Sequence, residues 1–377
     1  MNRSIIAHCH LRWNFVWQRP QHIFSRLAAH HRILLLEEAE YEAGHRPLLR
    51  LSEPSPGLVR AIPVLPERLG VDQEAPMVLP LVRAALERHP MLAGHFDQPV
   101  HWFYSPMGAP HFIGQFGEAA VVYDCMDELA NFRFAPPDIA ERERFLMSHA
   151  DVVFTGGRSL FDAKSRHHRN THFFGCGVDV EHFGAALDAN LAGAPELAAL
   201  PRPVLGYFGV IDERLDYALI ARLAAAFPQG SVVMVGPLAK VDAAELPQAP
   251  NLHWLGQRSY AELPALVKRF DVCLMPFALN EATRYINPTK TLEYMAAGKP
   301  VVSTAVPDVV RNFGRVVDVA QSPEDFVLAA ARAIQAPRPA AIAQGLTLAR
   351  ESTWDAIVAS MRKQMLAAVR QPKEIAA

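Results

Sequence analysis

The apolar residues of this chain fall into short continuous blocks that alternate with longer stretches in which they recur every three to four positions. A short block that is apolar throughout predicts a strand covered on both faces, and the wider spacing predicts an amphipathic helix. Strands are predicted at 4–9, 32–38, 58–64, 101–105, 120–126, 151–156 and 171–178, and then at 203–210, 231–237, 251–256, 272–277 and 300–304. Strands that alternate with helices in this way form an open parallel sheet covered by helices.

Helices are predicted between these strands. The first helix begins at Pro20, and a long last helix runs from near Ser352 to Val369. Between them, helices are predicted at 74–90, 138–149, 159–168, 215–227, 259–269 and 289–297. The pattern restarts near residue 203, and each half is long enough to bury its own core. The predicted fold class is therefore α/β, with two doubly wound, Rossmann-like domains.

The domain boundaries follow from the composition of the segment between the two halves. Residues 184–202 are rich in Ala, Pro and Gly, which is typical of a linker. We expect an N-terminal domain at 1–183, a linker at 184–202 and a C-terminal domain at 203–350. A helix at 351–371 completes the chain, and its apolar stripe must lie on another surface.

Composition and charge narrow the class of protein. The chain is 50% hydrophobic and 20% charged, which excludes a disordered protein. Its net charge of −2 excludes a globally basic nucleic-acid binder, although a local basic patch stays open. No apolar run approaches the roughly 20 residues of a membrane-spanning helix, and the N-terminal segment does not read as a signal peptide. We expect a cytoplasmic protein, with peripheral association at the cytoplasmic membrane as an alternative.

The cysteine and histidine patterns give no metal signature. Cys9, Cys125, Cys176 and Cys273 lie far apart in or beside strand-like segments, where a thiol packs as a small hydrophobe. Fifteen of the sixteen histidines precede residue 183, without the spacing of a known metal motif. We therefore expect no metal and no separate cofactor.

The most informative segment is RYINPTKTLEYMAAGKPVVST, residues 284–304. Asn287 is a good helix cap, Pro288 suits the first helical position, and Gly298 suits the position after the last turn. These residues predict a short helix between a loop and a strand.

The start of this helix is a candidate anion site. The backbone N–H groups of Thr289 and Lys290 would lie at the positive end of the helix dipole, and the Lys290 side chain adds a full charge. Glu293 lies one turn further along the same face, where its carboxylate could accept hydrogen bonds from ribose hydroxyls. The alternative is an ordinary surface ion pair at three-residue spacing.

A second cluster follows the first strand. Aromatic and polar residues crowd the end of that strand and the start of the first helix: Trp13, Phe15, Trp17, Gln18, Arg19 and His22. Ligands of doubly wound domains bind at this edge. Arg19 could contact a phosphate, and Trp13, Gln18 and His22 could line a sugar or the lipid side of an acceptor. The alternative is that the aromatic residues pack the wall of the cleft.

A third cluster follows the strand at 120–126. Asp124 and Asp127 could bind acceptor hydroxyls, or one of them could act as a base. Asp127 could instead cap the next segment. His10 and His111 are further candidates for the catalytic role considered for Asp124.

Several segments together resemble one enzyme family. PTKTLEYMAAGKPVV is similar to the donor-site helix of GT-B glycosyltransferases of the retaining family 4 kind. Further matches occur in the expected order at GCGVDVEHF (175–183), GYFGVIDERLD (206–216), VGP (235–237) and NLHWLGQRSYAELPALVKRFDVCLMPF (251–277). HLRWNFVWQRPQHIFSRLA (10–28) resembles a subgroup linked to bacterial surface polysaccharide and teichuronic acid synthesis.

The resemblance implies a role for each matching residue. Glu293 would bind the donor ribose, and Thr289 and Lys290 would bind the diphosphate. Gly209 would let the backbone approach the phosphates, and Gln257 and Arg258 would flank the base. The C-terminal helix would cross back to the N-terminal domain. The expected donor site comprises Gly209, Arg214, Gln257, Arg258, Tyr285, Asn287, Thr289, Lys290 and Glu293.

The sequence departs from the family at informative positions. Tyr285 stands where the family has a glutamate that contacts the donor sugar. Val210 and Asp216 stand where it often has Arg and Lys, and Arg214 in the same loop could supply the missing charge. The alternative for Arg214 is a solvated loop arginine.

The resemblance implies transfer of a hexosyl group from a nucleoside diphosphate sugar to a hydroxyl of a saccharide or lipid-linked acceptor, with retention of configuration. Lys290, Arg214 and Asp124 are the expected catalytic residues. Alternatives are a non-catalytic sugar-nucleotide-binding or scaffold protein and a GT-B nucleotide-sugar epimerase. An oxidoreductase is disfavoured because no GxGxxG follows a strand.

Overall fold

The computed structural model describes residues 3–369, which form two α/β domains. The strands are β1 (Ile5–Cys9), β2 (Ile33–Glu37), β3 (Glu40–Tyr41), β4 (Leu48–Ser55), β5 (Leu58–Leu65), β6 (Val100–Phe103), β7 (Ala120–Cys125), β8 (Val152–Thr155), β9 (Thr171–Phe173), β10 (Val204–Phe208), β11 (Ser231–Val235), β12 (Leu252–Trp254), β13 (Val272–Met275), β14 (Val301–Thr304) and β15 (Asp318–Ala320). The α-helices are α1 (Arg19–Leu27), α2 (Val71–Arg88), α3 (Ala109–Phe112), α4 (Ile139–His149), α5 (Arg158–Lys164), α6 (Val180–Gly184), α7 (Tyr217–Ala226), α8 (Leu263–Arg269), α9 (Lys290–Ala296), α10 (Pro307–Phe313), α11 (Pro323–Gln335), α12 (Pro339–Glu351) and α13 (Trp354–Ala368).

The first domain is built on a sheet of nine strands. Its order is β3-β5-β2-β1-β6-β7-β8-β9, and β4 adds an antiparallel pairing to β5. All other pairs are parallel, and the strand order reverses between β1 and β6. In such a sheet, ligands bind outside the carboxyl ends of the strands at the point of reversal.

The second domain is a fully parallel sheet of six strands in the order β12-β11-β10-β13-β14-β15. Its four inner strands, β10, β11, β13 and β14, are buried throughout because helices cover both faces, and the edge strands β12 and β15 are partly exposed. The order reverses between β10 and β13, so the loop after β10, which begins at Gly209, lies at the second reversal point. The predicted fold class, two Rossmann-like domains, is confirmed.

Local sequence signals fix several helix starts. Thr353 accepts a hydrogen bond from the Ala356 N–H at the start of α13, and Ser322 does the same for Asp325 at α11. Asp216, which departs from the family pattern, caps α7 by accepting from the Leu219 N–H at 2.8 Å. An N-cap of this kind typically contributes about 1 kcal/mol.

The last helix packs on the first domain. Trp354, Val358, Met361 and Met365 of α13 are buried in one cluster with residues of β1, β6 and β7. The chain therefore leaves the first domain and returns to it, and the two crossings are adjacent: the Val178 N–H donates to the Ser352 C=O at 2.8 Å. The ranges 1–183, 184–202, 203–350 and 351–371 stay predictions, and residues 370–371 lie outside the described part of the chain.

The structure contains elements beyond those predicted. The short strand β3 and the antiparallel strand β4 extend the first sheet, and α10, α11, β15 and α12 fill the interval between β14 and the last helix. Within residues 3–369, no helix combines the length and apolar character needed to cross a membrane.

Candidate functional site

A cavity of about 500 Å³ lies between the carboxyl ends of the two sheets. The loop after β1 and the residues that follow β7 line its first-domain side. The loops after β10 and β11, the segment after β12 and the start of α9 line the other side. Both reversal points therefore open into one cleft, as expected of a ligand site in doubly wound domains.

The start of α9 faces this cavity. The first backbone bond of the turn runs from the Thr291 N–H to the Pro288 C=O, so the N–H groups of Thr289 and Lys290 precede it. Thr289, Lys290 and Glu293 all line the cavity. The predicted candidate site thus lies where amides, a lysine and a carboxylate meet in one cleft.

The predicted cap of this helix is wrong. The helix begins at Lys290, and Thr289 is the residue at its N-cap. The Asn287 amide instead donates to the Gly156 C=O of the first domain at 3.0 Å, and the Cys176 thiol donates to the Asn287 C=O at 3.3 Å. Asn287 therefore joins the donor-side helix to the first domain instead of capping it.

Two glycines allow close packing beside the start of α9: Gly209 packs against Lys290, and Gly236 packs against Gly209. Gly209 has φ +143°, and a Cβ there would lie 1.9 Å from Lys290 Cε. Gly236 has φ +152°, and its Cβ would lie 1.8 Å from the Gly209 carbonyl oxygen. Only glycine fits either position. Gly236 was not among the predicted site residues, although the VGP segment carried the signal.

Burial perturbs the charges of this helix in opposite directions. Glu293 is only 6% exposed, so it is not part of a surface ion pair. Burial raises the pKa of Glu293 to about 7, and the nearby Lys290 opposes that rise. Burial lowers the pKa of Lys290, with Glu293 opposing the change. Shifted pairs of this kind are common at functional sites.

Arg214 and Asp127 face the cavity from opposite domains. The Arg214 guanidinium donates to both oxygens of Asp212, at 2.6–3.1 Å, so it is a paired arginine and not a solvated one. Burial raises the pKa of Asp127 to about 6, and Arg214 opposes the rise. The short turn at 129–131 has Glu128 at its N-cap, so Asp127 does not cap it.

Arg19 and Asp124 form an ion pair under the cleft. Arg19 is 2% exposed and Asp124 is fully buried. The guanidinium donates to the Asp124 carboxylate at 2.9–3.1 Å and to the Phe174 C=O at 2.8 Å. Because Arg19 occupies the Asp124 carboxylate, the structure puts that carboxylate out of reach of a ligand in the cleft.

The aromatic residues of the first loop are divided between the cleft and the core. Trp13 and Gln18 line the cavity, and Trp17 lines it next to Tyr260 of the second domain, with ring centroids 5.8 Å apart. His22 stacks on Trp354 at 4.7 Å and does not line the cavity. Burial, with smaller effects of Arg26 and His182, lowers the pKa of His22 to about 2, so this ring is neutral.

Two of the three remaining predicted donor residues line the cavity, and the third does not. Gln257 and Arg258 line the cavity; the Gln257 amide donates to the Phe15 C=O across the cleft, and Arg258 donates to the Leu255 C=O at 2.7 Å. Tyr285 does not line the cavity, since its partly buried ring packs on the core of the first domain.

The two alternative histidines lie outside the cavity lining. His111 contacts Asp72 at 2.6 Å. Burial, together with Lys240, lowers the pKa of His10 to about 4. Among residues 3–369, no group of three or more His, Cys, Asp or Glu residues could hold a metal ion.

Comparisons with known proteins agree with this architecture. Residues 202–336, which span most of the second domain, match the family described as Glycosyl transferases group 1. The chain is 29% identical over 225 residues to TuaH of Bacillus subtilis (strain 168), provisionally named a teichuronic acid biosynthesis glycosyltransferase. That match covers 55% of this chain and 55% of TuaH, so it spans about half the length of the curated relative.

Solved structures share the fold over nearly the whole chain. Sucrose-phosphate synthase from Thermosynechococcus elongatus superposes with a TM-score of 0.74 at 16% identity, covering 97% of this chain and 100% of that one. A UDP-forming trehalose-phosphate synthase from Burkholderia xenovorans, in complex with glucose-6-phosphate, gives 0.70 at 13% identity, covering 97% and 100%. The predicted resemblance to GT-B glycosyltransferases is confirmed by these matches.

Proposed function

We infer from its GT-B fold and its glycosyl transferases group 1 domain that this protein is a glycosyltransferase. We propose that it moves a hexosyl group from a nucleoside diphosphate sugar to an acceptor hydroxyl, with retention, in the manner of family 4. The acceptor would be a saccharide or a lipid-linked saccharide of a surface polysaccharide or glycolipid. Cytoplasmic location and peripheral membrane association belong to the same proposal.

The observation that carries this proposal is the start of α9. Lys290, the N–H groups of Thr289 and Lys290, and the backbone at Gly209 and Gly236 meet at one end of the cavity. Amides at a helix start beside a lysine suit a diphosphate. Glu293, one turn away, suits a vicinal diol of ribose because its carboxylate has two acceptor oxygens.

Catalysis would require stabilisation of the leaving diphosphate. The bond between the anomeric carbon and the phosphate oxygen breaks, and the negative charge that develops lies next to Lys290 and the helix amides. Fixed donors in a water-poor cleft stabilise such charge without reorganising during the reaction. Arg214 can add its charge only in competition with Asp212, which it contacts at 2.6 Å.

The acceptor would approach from the first domain. Its hydroxyl oxygen forms the new bond to the anomeric carbon, and its proton passes to the departing phosphate oxygen on the same face of the sugar. Asp127 lines the first-domain side of the cavity and can hold the acceptor by accepting a hydrogen bond from a neighbouring hydroxyl, which leaves the proton of the attacking hydroxyl free to pass to the phosphate. The buried Arg19–Asp124 pair beneath the loop supports the cleft floor. Positively charged side chains and amides would meet the diphosphate, and we expect no metal requirement.

The donor assignment can be tested with wild type and Lys290→Ala. We expect wild type to bind one of UDP, GDP, ADP or dTDP, measured by calorimetry, and to transfer from the matching sugar nucleotide. Lys290→Ala should lower turnover by roughly 10²-fold or more, as expected when one charge-stabilising donor is removed. A matched control is Arg222→Ala, which removes one exposed cation paired with Glu324 in the same domain.

Each outcome separates the candidate functions. A Lys290→Ala variant with the wild-type rate would contradict the donor-site assignment. Binding without transfer or hydrolysis would favour the scaffold alternative. Conversion of the sugar nucleotide to its epimer would favour the epimerase. Failure to bind any nucleoside diphosphate would refute the proposed function.

A further inference from the structure

A buried carboxylate of the second domain caps a helix of the first. Asp308, in the first turn of α10, is fully buried. It accepts hydrogen bonds from the Arg158 N–H at 2.7 Å, the Ser159 N–H at 3.1 Å and the Ser159 hydroxyl at 2.5 Å. These donors form the start of α5. A capping carboxylate normally comes from the helix's own chain segment, but here it comes from the other domain.

The residue before α5 explains why the cap comes from elsewhere. Gly157 is at the N-cap of α5 and has no side chain to accept these hydrogen bonds. A Cβ at Gly157 would lie 2.5 Å from the Asp308 carboxylate and 3.2 Å from the Tyr285 carbonyl oxygen. The missing side chain therefore both leaves the helix start uncapped and admits the carboxylate of the second domain.

This contact adjoins the proposed donor site. Gly156 lines the cavity, and its C=O accepts from the Asn287 amide at 3.0 Å. Asn287 lies three residues before Lys290, and its own C=O accepts from the Cys176 thiol. Two contacts with the first domain, at Gly156 and Cys176, thus hold the segment that leads into α9. Asp308 lies next to this segment.

The other contacts between α5 and α10 are weaker. Arg311 and Asp162 form an ion pair at 2.6 Å, with both side chains about half exposed, and the Arg158 guanidinium donates to Asn312 at 3.1 Å. Exposed pairs of this kind contribute little and exchange readily with water. A buried carboxylate with three donors is expensive to separate because both sides would lose their partners. Relative motion of the domains should therefore preserve the Asp308 contact.

We propose that Asp308 is a positioning residue for sugar transfer: it fixes the start of α5 to the second domain and forms the pivot about which the cleft opens and closes. The inference rests on the proposed function. By holding the pivot, Asp308 sets how the acceptor side at Gly156 and Asp127 meets Lys290. It contacts neither substrate, so its loss should affect transfer more than nucleotide binding.

The test compares wild type with Asp308→Asn. The amide keeps the shape of the carboxylate but has one acceptor oxygen instead of two and no charge, so at least one of the three donors of α5 loses its acceptor. We expect the transfer rate to fall roughly tenfold or more, since bonds to a charged acceptor are lost in a buried place. The dissociation constant for the nucleoside diphosphate should stay within about twofold, because its contacts lie elsewhere. Hydrogen exchange of the amides at 158–161 should accelerate by about tenfold or more.

Two further variants sharpen the result. Ser159→Ala removes only the hydroxyl bond and should give a smaller loss of transfer in the same direction, which keeps the test open if Asp308→Asn does not fold. Asp162→Asn is the matched control, because it removes an exposed carboxylate from the same pair of helices. It should transfer and exchange like wild type.

Three results would overturn the inference. Faster exchange at 158–161 with an unchanged transfer rate would make the contact merely structural. Equal losses in nucleotide affinity and transfer would place the effect in the donor site itself. Unchanged exchange would mean that Asp308 does not hold α5. If wild type binds no nucleotide, the proposed function fails, whereas the exchange comparison still tests the contact between the domains.

Discussion

The buried carboxylate of Glu293 should make the nucleotide-free protein less stable at neutral pH than a variant that lacks this negative charge. The carboxyl is 6% exposed, and burial raises its pKa from 4.5 to about 7. Below pH 4.5 it is protonated in the folded and unfolded states, and the two do not differ. Between pH 4.5 and 7 the unfolded chain releases the proton while the folded chain retains it, so stability falls as pH rises.

The size of this loss of stability follows from the shift in the pKa of Glu293. The difference between about 7 and 4.5, at 1.36 kcal/mol for each pKa unit, corresponds to roughly 3 kcal/mol above pH 7. Glu293→Gln keeps the shape and removes the charge. We therefore expect the variant to be more stable than wild type by up to about 3 kcal/mol at pH 8, and by less than about 1 kcal/mol at pH 5.

The measurement is urea unfolding at pH 5 and pH 8, followed by circular dichroism, without nucleotide. Comparing each variant with wild type at the same pH cancels the other titrating groups. Glu281→Gln is the matched control; its side chain is 72% exposed, and its stability should change by less than about 0.5 kcal/mol. The reasoning is refuted if Glu293→Gln shows no gain at pH 8 or an equal gain at both pH values. The same variant should bind nucleotide more weakly, because an amide offers one acceptor oxygen where the carboxylate offers two.

Two further predictions concern the floor and wall of the cleft. In Gly209→Ala the new methyl carbon would lie 1.9 Å from Lys290 Cε and must displace the lysine side chain. We therefore expect turnover to fall about tenfold or more in steady-state kinetics. Wild-type turnover would show that this position of Lys290 is not needed. Arg19→Met leaves the buried Asp124 without its cation and should lower the free energy of unfolding by about 3–5 kcal/mol in urea. Replacing both partners by apolar residues should restore most of that loss, and a single variant as stable as wild type would contradict the argument.

The parts of the fold and site that follow from local sequence could be predicted. The glycine at the end of β10 and the polar residues at the start of α9 are each visible within about ten residues. Because parallel strands point their carboxyl ends to one edge, these segments were expected to meet. In contrast, α10 to α12 were missed although α11 carries a local signal, since Ser322 caps it and Phe326, Ala329, Ala330 and Ala333 form its buried face.

The parts that depend on distant partners could not be predicted. Arg19 and Asp124 are 105 residues apart, and each alone looks like a ligand-binding residue at a strand end. Asn287 satisfies the local rule for a helix cap, but the Gly156 carbonyl of the other domain takes its amide. Tertiary contacts override local preference in both cases, and no spacing along the chain encodes them.

The position of α13 has a consequence for biosynthesis. Part of one face of the first sheet, beside α1, is covered by residues 354–368, which the ribosome adds about 180 residues after the last strand of that sheet. At 5–20 residues per second, that face waits roughly 10–40 s for its cover. The first domain to be translated is therefore the last to finish folding, and nascent chains halted before Trp354 should present an unprotected apolar surface to chaperones.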